Sequence, residues 1–362
     1  MKRFRAAPKV DEIYSLLKQR IQSGFYQECG VLPTENVLAE ELGVSRKTLR
    51  SALARLALEN IVERVKGKGT FIRSGETAQK KILVIVGNME DITDPGRYIL
   101  PGILQEAAAV GIQVETCTNF SLSCEAGENV TELIKKKDYC GILSFSANFM
   151  GDEPIIGILK NTSLPVVLVH ALESDGKTTG FAVMGTDYRK LIRDGLQYLA
   201  HQGHRRVSYL AYHEHRIPKE NYFELLREIG LDDAPCLRGE MSSSNDEEIV
   251  YAEISAFFDN LKKLPTAVFC FSDFFAVCLY RYLKTKKIRI PEDMAVLSIG
   301  GLIGCDFLSP PLSTMDLDCQ EIGRQAVRIL LEMKMKNILT LPFIVTAHYL
   351  TERESTRQKE AF

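Results

Sequence analysis

Residues 81–300 alternate between short apolar runs and segments with helical spacing, and this alternation constrains the fold more than any other feature. KILVIV at 81–86 is wholly apolar, which is typical of a strand buried on both faces of a sheet. A helical segment follows at 99–111, and the runs at 266–271 and 294–300 continue the pattern. Strand–helix alternation over such a length predicts an open parallel α/β sheet with helices on both faces. Because the alternating segment is longer than the chain that usually forms one sheet of this kind, we expect two lobes.

The charges are distributed unevenly along a chain whose net charge is only −2. Residues 1–73 hold 14 Lys and Arg against 8 Asp and Glu, whereas the remaining residues hold 31 against 39. A basic segment joined to an acidic remainder indicates a polyanion-binding unit, although simple solvation also explains a basic surface. The stretch RSGETAQKK at 73–81 lacks apolar periodicity and predicts a linker.

Three helices are predicted within the basic segment. Apolar residues recur at helical spacing in 9–24, and a short second helix within 34–43 begins after Thr34 and ends at Gly43. Ser45 is suited to cap the third helix. This helix places Leu49, Ala52, Leu53 and Leu56 on one side and Arg46, Lys47 and Arg50 at its amino end. Positive charge there opposes the helix macrodipole, so the placement favours a binding role over a stabilising one.

The second and third helices form a predicted helix-turn-helix, joined by a tight Gly-Val-Ser turn. The first residues of a recognition helix reach base edges in the major groove, and the arginine fork matches guanine. A hairpin is predicted at 61–74, with Lys66, Gly67 and Lys68 in its glycine-bearing turn. The helix-turn-helix alone, or the hairpin alone, is as compatible with an ordinary solvated surface as with DNA binding. The two in tandem indicate a winged helix-turn-helix that binds DNA.

The stretch VLPTENVLAEELGVSRKTLRSALARLALENIVERVKGKGTFI resembles the winged helix-turn-helix of the GntR family of bacterial repressors over residues 9–73. The resemblance implies DNA contacts from the Ser-Arg-x-Thr stretch, from the wing and from the turn before the second helix. By number these are Thr34, Ser45, Arg46, Thr48, Arg50, Lys66, Gly67 and Lys68. Asn36 stands where the family often has an arginine, so base preference is expected to differ.

Residues 81–357 resemble a different family, the effector domain of the LacI/GalR repressors. The resemblance rests on stretches such as PTAVFCFSDFFAVCLYRYL, IPEDMAVLSIG and LTERESTR. It implies a periplasmic-binding-protein-like fold with two Rossmann-like lobes, three crossovers and a ligand between the lobes. The combination of both units resembles the arabinose-repressor-like subgroup. We therefore expect a winged helix-turn-helix at 1–73, a linker at 74–80 and a two-lobed effector-binding and dimerisation domain at 81–362.

The loops after strand ends supply the expected ligand contacts, because open α/β sheets bind ligands at that edge. These residues are Tyr98, Ser144, Phe145, His170, Arg216, Ser272 and Asp273. For two of them a structural role is the alternative: Phe145 in the core, and Asp273 as the cap of the following helix. Ile299, Gly300, Gly301 and Leu302 stand where sugar-binding members of that family usually carry Gly-Phe-Asp-Asp, so an acid that normally accepts hydrogen bonds from sugar hydroxyls is lost. The effector is therefore expected to be a sugar, an unusual sugar or a non-sugar metabolite.

The overall expectation is a ligand-responsive bacterial transcriptional regulator that binds a palindromic operator as a homodimer, and the resemblance implies a repressor. No run of apolar residues is long enough for a membrane span, and the nine cysteines include no CxxC pair, which predicts buried thiols in a reducing cytoplasm. His213 and His215 are more simply solvated than metal ligands. We expect no cofactor and no catalysis. An enzyme fused to a DNA-binding unit and a solute-capture protein are the alternatives; an absorbance scan for a bound cofactor separates the enzyme from the regulator.

Overall fold

The computed structural model describes residues 10–22, 25–26, 32–59, 61–65, 69–72, 81–87, 94–118, 131–132, 134, 139–212, 217–242 and 244–357. The chain forms two compact units, residues 1–79 and 80–362, called here the N-terminal unit and the body. The predicted linker at 74–80 lies outside the described residues.

The N-terminal unit packs three helices against a two-stranded hairpin. Leu17, Leu38, Leu49 and Leu53 are among the fully buried side chains of its core. Gly43 takes a left-handed conformation (φ +63°) directly after the second helix, which is the backbone geometry that ends helices and favours glycine. The elements are α1 (Val10–Gln22), α2 (Glu35–Glu41), α3 (Arg46–Leu58), β1 (Val62–Val65) and β2 (Gly69–Ile72).

The first sheet of the body has the strand order β13-β7-β6-β5-β3-β4 and is parallel throughout. Its elements are β3 (Lys81–Val86), α4 (Gly96–Ala109), β4 (Gln113–Thr118), β5 (Tyr139–Ser144), α5 (Pro154–Asn161), β6 (Val166–Val169), α6 (Glu173–Thr179), β7 (Ala182–Thr186) and β13 (Ile344–Thr346). On β3, Ile82 and Val84 join one core cluster while Leu83 and Ile85 join another on the opposite face. The all-apolar run is therefore buried on both faces, as predicted.

The second sheet has the order β14-β12-β11-β10-β8-β9, with β14 antiparallel to β12 and the other pairs parallel. Its elements are α7 (Tyr188–His201), β8 (Val207–Tyr212), α8 (Lys219–Ile229), β9 (Arg238–Met241), α9 (Glu247–Asp259), β10 (Ala267–Cys270), α10 (Asp273–Lys286), β11 (Ala295–Gly300), β12 (Ser313–Asp316), α11 (Cys319–Lys336) and β14 (Tyr349–Thr351). Short 3₁₀ turns occupy Pro235–Leu237 and Ile303–Phe307.

The chain passes between the two sheets three times. It leaves the first sheet after β7, and the following α7 packs on α8 and β10 of the second. It returns after β12 through α11, which packs on α4, β5 and β6. It crosses again between β13 and β14. The first two crossings start at carboxyl ends of parallel strands, and the third runs from the carboxyl end of β13 to β14 beside the end of β12. These edges of both sheets therefore line one crevice, and the two-lobed, three-crossover fold is confirmed.

Helix α4 begins three residues before the predicted segment. Asp94 accepts a hydrogen bond from the Gly96 backbone N–H through its carboxylate (2.8 Å), which satisfies one of the amide groups exposed at the helix start. The spacing of apolar residues predicted a helix start at residue 99, because the first turn of α4 precedes that spacing.

Replacing Gly102 with alanine is expected to destabilise the body by about 1–3 kcal/mol, because α4 and α11 approach each other at glycines. A Cβ at Gly102 would overlap the backbone carbonyl of Gln320, and one at Gly323 would overlap the backbone of α4. Chemical denaturation measures the change. Gly157→Ala is the control: that helical glycine has open space around it, so alanine should be neutral or stabilising. Equal effects at both positions would contradict the packing argument.

Candidate functional site

Ser45 caps the amino end of α3, as predicted. Its hydroxyl oxygen accepts a hydrogen bond from the Thr48 backbone N–H at 3.1 Å and lies 2.8 Å from the Thr48 hydroxyl oxygen. Thr34 occupies the equivalent position before α2, but its side chain makes no capping hydrogen bond. Both hydroxyl residues thus stand at helix amino ends, which are the places where backbone amides attract phosphate oxygens.

The two faces of α3 separate as the sequence predicted. Leu49, Ala52, Leu53 and Leu56 are buried. Arg46, Lys47 and Arg50 are exposed, and no acidic residue lies in the first turn of the helix. These cations therefore add to the positive pole of the helix macrodipole at the amino end of α3. The added charge lowers helix stability and creates a local positive field.

Glu35 joins α2, α3 and the hairpin, and sequence reasoning missed it. Its carboxylate accepts a hydrogen bond from Arg50 Nε at 2.7 Å and a second one from Arg64 on β1. The hydrogen bond from Arg50 is the largest cause of a lowered Glu35 pKa, with smaller contributions from the charges of both arginines. The pairing uses Nε of Arg50, and the Arg50 side chain remains 62% exposed.

The hairpin follows the predicted order, with β1 and β2 antiparallel. Val62 is opposite Ile72, and Val65 is opposite Gly69. The predicted wing contacts Lys66, Gly67 and Lys68 lie outside the described residues.

The predicted effector contacts from the first sheet lie at or just after strand and helix ends. Tyr98 is half-buried in the first turn of α4, and Phe145 follows β5 with its ring against Gly96. Ser144 is buried (1% exposed), and its hydroxyl donates to the Ser146 side-chain oxygen at 3.1 Å. His170 follows β6 in a left-handed conformation (φ +60°), which is rare for a residue with a side chain and recurs at ligand sites.

The predicted contacts from the second sheet divide into a cap and a buried acid. Ser272 is the N-cap of α10 and accepts from the Phe275 backbone N–H at 3.2 Å. The alternative interpretation of Asp273 as the cap is therefore wrong: Asp273 is the first helical residue, and its side chain turns inward. Arg216 lies outside the described residues, as do His213 and His215.

The Asp273 carboxylate closes a buried network at the end of β11 and β12. One oxygen accepts from the hydroxyls of Ser298 (2.5 Å) and Thr314 (3.2 Å), and the other accepts from the Leu302 backbone N–H at 2.9 Å. Burial raises the pKa of Asp273, and these hydrogen bonds oppose the rise. Gly300 and Gly301 adopt positive φ angles, and a Cβ on either would overlap Asp273 or Asp316. The glycines thus bring this loop against two carboxylates.

Contacts among three aromatic residues of the body were missed by sequence reasoning: Tyr188, Tyr212 and Phe271. Tyr188 and Phe271 stack with ring centroids 5.5 Å apart, and Tyr212 meets Phe271 edge-on at 5.3 Å. Tyr212 and Phe271 end apolar runs and Tyr188 begins a helix, but nothing in the sequence distinguished these rings from core residues.

The other candidate chemistry has structural explanations. His204 is buried, lies 3.0 Å from the Thr266 hydroxyl and sits in the turn between α7 and β8. Within the described residues, no group of three or more His, Cys, Asp or Glu is arranged to hold a metal ion. No described helix is long and apolar enough to cross a membrane. The described cysteines are free; several are buried as expected, but Cys236 is exposed.

Comparison with protein families finds a match in each of the two units. Residues 9–72 match the family described as bacterial regulatory proteins, gntR family, and residues 196–356 match the periplasmic binding protein-like domain. The chain joins a gntR-family helix-turn-helix unit to a periplasmic-binding-protein-like body.

Similar proteins include named repressors. The HTH-type transcriptional repressor PurR of Actinobacillus pleuropneumoniae is 26% identical over 208 residues, which are 57% of this chain and 60% of that protein. The HTH-type transcriptional repressor CytR of Escherichia coli is 26% identical over 269 residues, which are 70% of this chain and 72% of that one. The solved complex of transcriptional regulator CelR with cellobiose superposes with a TM-score of 0.62 at 18% identity, covering 90% of this chain and all of that one. At this identity the structural likeness shows the fold alone.

Proposed function

We propose that the protein is a ligand-responsive transcriptional repressor that binds duplex DNA through its N-terminal unit. The observation that carries the proposal is the set of exposed cations at the amino end of α3, beside a two-stranded hairpin. The match to the gntR family and the relatives named as repressors support it. The same relatives favour a binding role over catalysis for the body.

In this proposal Arg46 and Arg50 read base edges in the major groove. Glu35 accepts a hydrogen bond from Nε of Arg50, which restrains the position of that exposed side chain. The hydroxyls of Thr34, Ser45 and Thr48 contact phosphates at helix amino ends. Lys66, Gly67 and Lys68 form the wing tip and contact the DNA backbone.

The body holds a small-molecule effector in the crevice between its two sheets. We assign direct contacts to Tyr98, Phe145, His170, Arg216 and Ser272, and supporting roles to Ser144 and Asp273, whose side chains are engaged by neighbours within the protein. The CelR–cellobiose complex of the same fold supports a carbohydrate effector. A non-sugar metabolite is the second candidate. It is favoured by the glycines at 300 and 301, which have no side chains to accept hydrogen bonds from the hydroxyl groups of a sugar.

The effector acts by changing the angle between the lobes, which pivot on the three crossings. The change reaches the N-terminal unit through residues 74–80 and weakens DNA binding. Coupling free energies between two sites are usually about 1–3 kcal/mol, so about 5- to 150-fold in operator affinity is expected. An operator titration with and without a ligand identified by thermal shift measures it.

Selection from random duplex DNA with the full-length chain tests the function. We expect enrichment of an inverted repeat with half-sites about one helical turn apart, and binding that weakens steeply with salt. Failure to enrich any sequence would overturn the assignment of Arg46 and Arg50 to base reading. Binding insensitive to salt would overturn the assignment of the cations to DNA.

The working unit is proposed to be a homodimer through the body, because two-fold protein symmetry maps onto palindromic DNA. Ile303 and Phe307 project from one 3₁₀ turn and are 77% and 80% exposed, which marks an apolar patch suited to an interface. Substituting both with aspartate is expected to convert a dimer into a monomer by light scattering at micromolar concentration. Met150→Asp, at an equally exposed position (86%), is the control and should leave the dimer intact. A monomeric wild-type protein would refute the dimer.

A further inference from the structure

A pocket of about 600 Å³ lies at the open edge of the second sheet and is lined by all four residues of β9. β9 is the terminal strand of that sheet, and no described strand pairs with its outer edge. A volume of this size is typical of pockets that hold small molecules. Within the described residues, none of the predicted effector contacts lines this pocket. It is therefore a candidate second site, separate from the crevice.

Two helices on opposite faces of the second sheet form the walls of this pocket. The buried residues of α8 share a core cluster with Tyr209 of β8, whereas those of α9 share a cluster with Leu210 on the opposite face. The α8 wall contributes Phe223 and the α9 wall contributes Phe257, and both side chains are partly buried. Apolar lining is therefore present on both sides of the β9 edge.

The α8 wall carries an excess of positive charge. Lys219 Nζ lies 2.5 Å from Glu240 Oε1, and Arg238 Nε lies 3.8 Å from the same oxygen. The Arg238 side chain is only 3% exposed, and its guanidinium lies over the rings of Tyr209 and Tyr222, 5.6 Å and 4.9 Å from their centroids. Arginine keeps its charge in such surroundings. With two cations and one carboxylate in the described lining, this wall attracts an anionic group.

Glu253 gives the α9 wall the opposite charge. Its carboxylate accepts a hydrogen bond from the Ser242 backbone N–H at 3.0 Å, which holds the acid beside the carboxyl end of β9. A carboxylate has lone pairs for several donors, so this one bond leaves capacity for an ammonium group. The pocket is therefore dipolar, positive on the α8 wall and negative on the α9 wall.

We propose that this pocket binds a zwitterion with an apolar side chain. The carboxylate of the ligand faces Lys219 and Arg238, its ammonium group faces Glu253, and its side chain packs on the apolar lining. A ligand with a single charge is attracted by one wall and repelled by the other, so the zwitterion is selected. Free α-amino acids and short peptides share this chemistry, and the experiment separates them. The site goes beyond the proposed function, because it adds a second ligand to the body.

Isothermal titration of the full-length protein at neutral pH compares two matched sets of compounds. The first set is L-phenylalanine, 3-phenylpropionate, which lacks the amino group, and 2-phenylethylamine, which lacks the carboxylate. The second set is the dipeptide leucyl-phenylalanine, its N-acetyl form and its C-terminal amide.

In at least one set the zwitterion is expected to bind at millimolar concentration or below. It should bind about tenfold more tightly than each singly charged relative, the usual scale for one hydrogen bond to a charged group. The set that responds identifies an amino acid or a peptide as the ligand. If neither zwitterion binds more tightly than its relatives, the proposal is overturned.

The variant Glu253→Gln is expected to weaken binding of the zwitterion by about tenfold. Glutamine can still accept the hydrogen bond from the Ser242 N–H, but it carries no charge for the ammonium group. Glu248→Gln is the matched control, because Glu248 lies on the same helix, is 71% exposed and pairs with Arg281. Unchanged affinity in Glu253→Gln would overturn the role of that carboxylate.

A second pair of variants locates the binding. Ala256 is an exposed residue of α9 that lines the pocket, so Ala256→Phe is expected to fill the space and abolish binding. Ala252, one turn earlier on the same exposed surface, is not among the lining residues, and Ala252→Phe should leave affinity unchanged. Equal affinities in the two variants would overturn the location.

DNA binding is measured separately, with no added compound. A protein that binds its selected operator but prefers no zwitterion loses this site and keeps the proposed function. A protein that shows the zwitterion preference but binds no duplex DNA keeps this site and loses the proposed function.

Discussion

Replacing Arg46 with alanine is expected to weaken operator binding by about 2–6 kcal/mol for a dimer, because each of two arginine–base contacts contributes about 1–3 kcal/mol and distant sites add. Arg46 is exposed at the amino end of α3, where side chains reach base edges. Fluorescence anisotropy with the selected operator and with scrambled duplex measures the effect. The loss should be larger on the operator, so specificity should fall together with affinity.

The matched control is Arg55→Ala, which removes an arginine from the same helix. Arg55 lies near the opposite end of α3, donates to Asp11 at 2.7 Å and stacks over Tyr14. Its loss is expected to leave operator specificity unchanged. Equal losses of specificity in both variants would mean that charge alone, and not position on the recognition helix, governs binding.

Replacing Asp273 with alanine is expected to lower the free energy of unfolding of the body by at least about 3 kcal/mol. The substitution leaves the Leu302 N–H and the Ser298 and Thr314 hydroxyls without their acceptor, and an unsatisfied buried donor costs about 1–3 kcal/mol. Urea denaturation measures the loss. Asp293→Ala, which removes an exposed carboxylate paired with Arg289, should leave stability nearly unchanged.

The contribution of Asp273 should also depend on pH. Because burial raises its pKa, the folded protein binds one more proton than the unfolded chain between the ordinary and the raised pKa. The free energy of unfolding contributed by Asp273 therefore falls as pH rises through that window. A difference between the wild type and Asp273→Ala that grows with rising pH would contradict this sign.

The local sequence pattern was sufficient to predict much of the secondary structure of the N-terminal unit. Helical spacing, the Ser45 cap and Gly43 predicted α2 and α3, since these signals act within a few residues along the chain. The Glu35 contacts escaped prediction because Arg50 and Arg64 are 15 and 29 residues away in sequence. An acidic residue at a helix start already has a local explanation, so nothing in the sequence pointed to those partners.

In the body, the sequence predicted strands that are buried on both faces, because the sheet requires an unbroken apolar run there. The short strands β13 and β14 were not predicted: each has three residues, and pairing with β7 and β12 stabilises them. The length of the alternating pattern indicated two lobes, and family resemblance supplied the three crossings.

The sequence by itself determined the periodicity, the caps and the basic charge of the N-terminal unit, because each depends on neighbours along the chain. Tertiary structure alone decided which polar and aromatic groups meet. Asp273 was available to cap a helix or bind a ligand until Ser298, Thr314 and Leu302 were brought around it from β11, β12 and the intervening loop. Phe271 and Tyr188 were ordinary core candidates until the first crossing stacked them. Both outcomes follow from long-range packing, which places in contact residues that share no local signal.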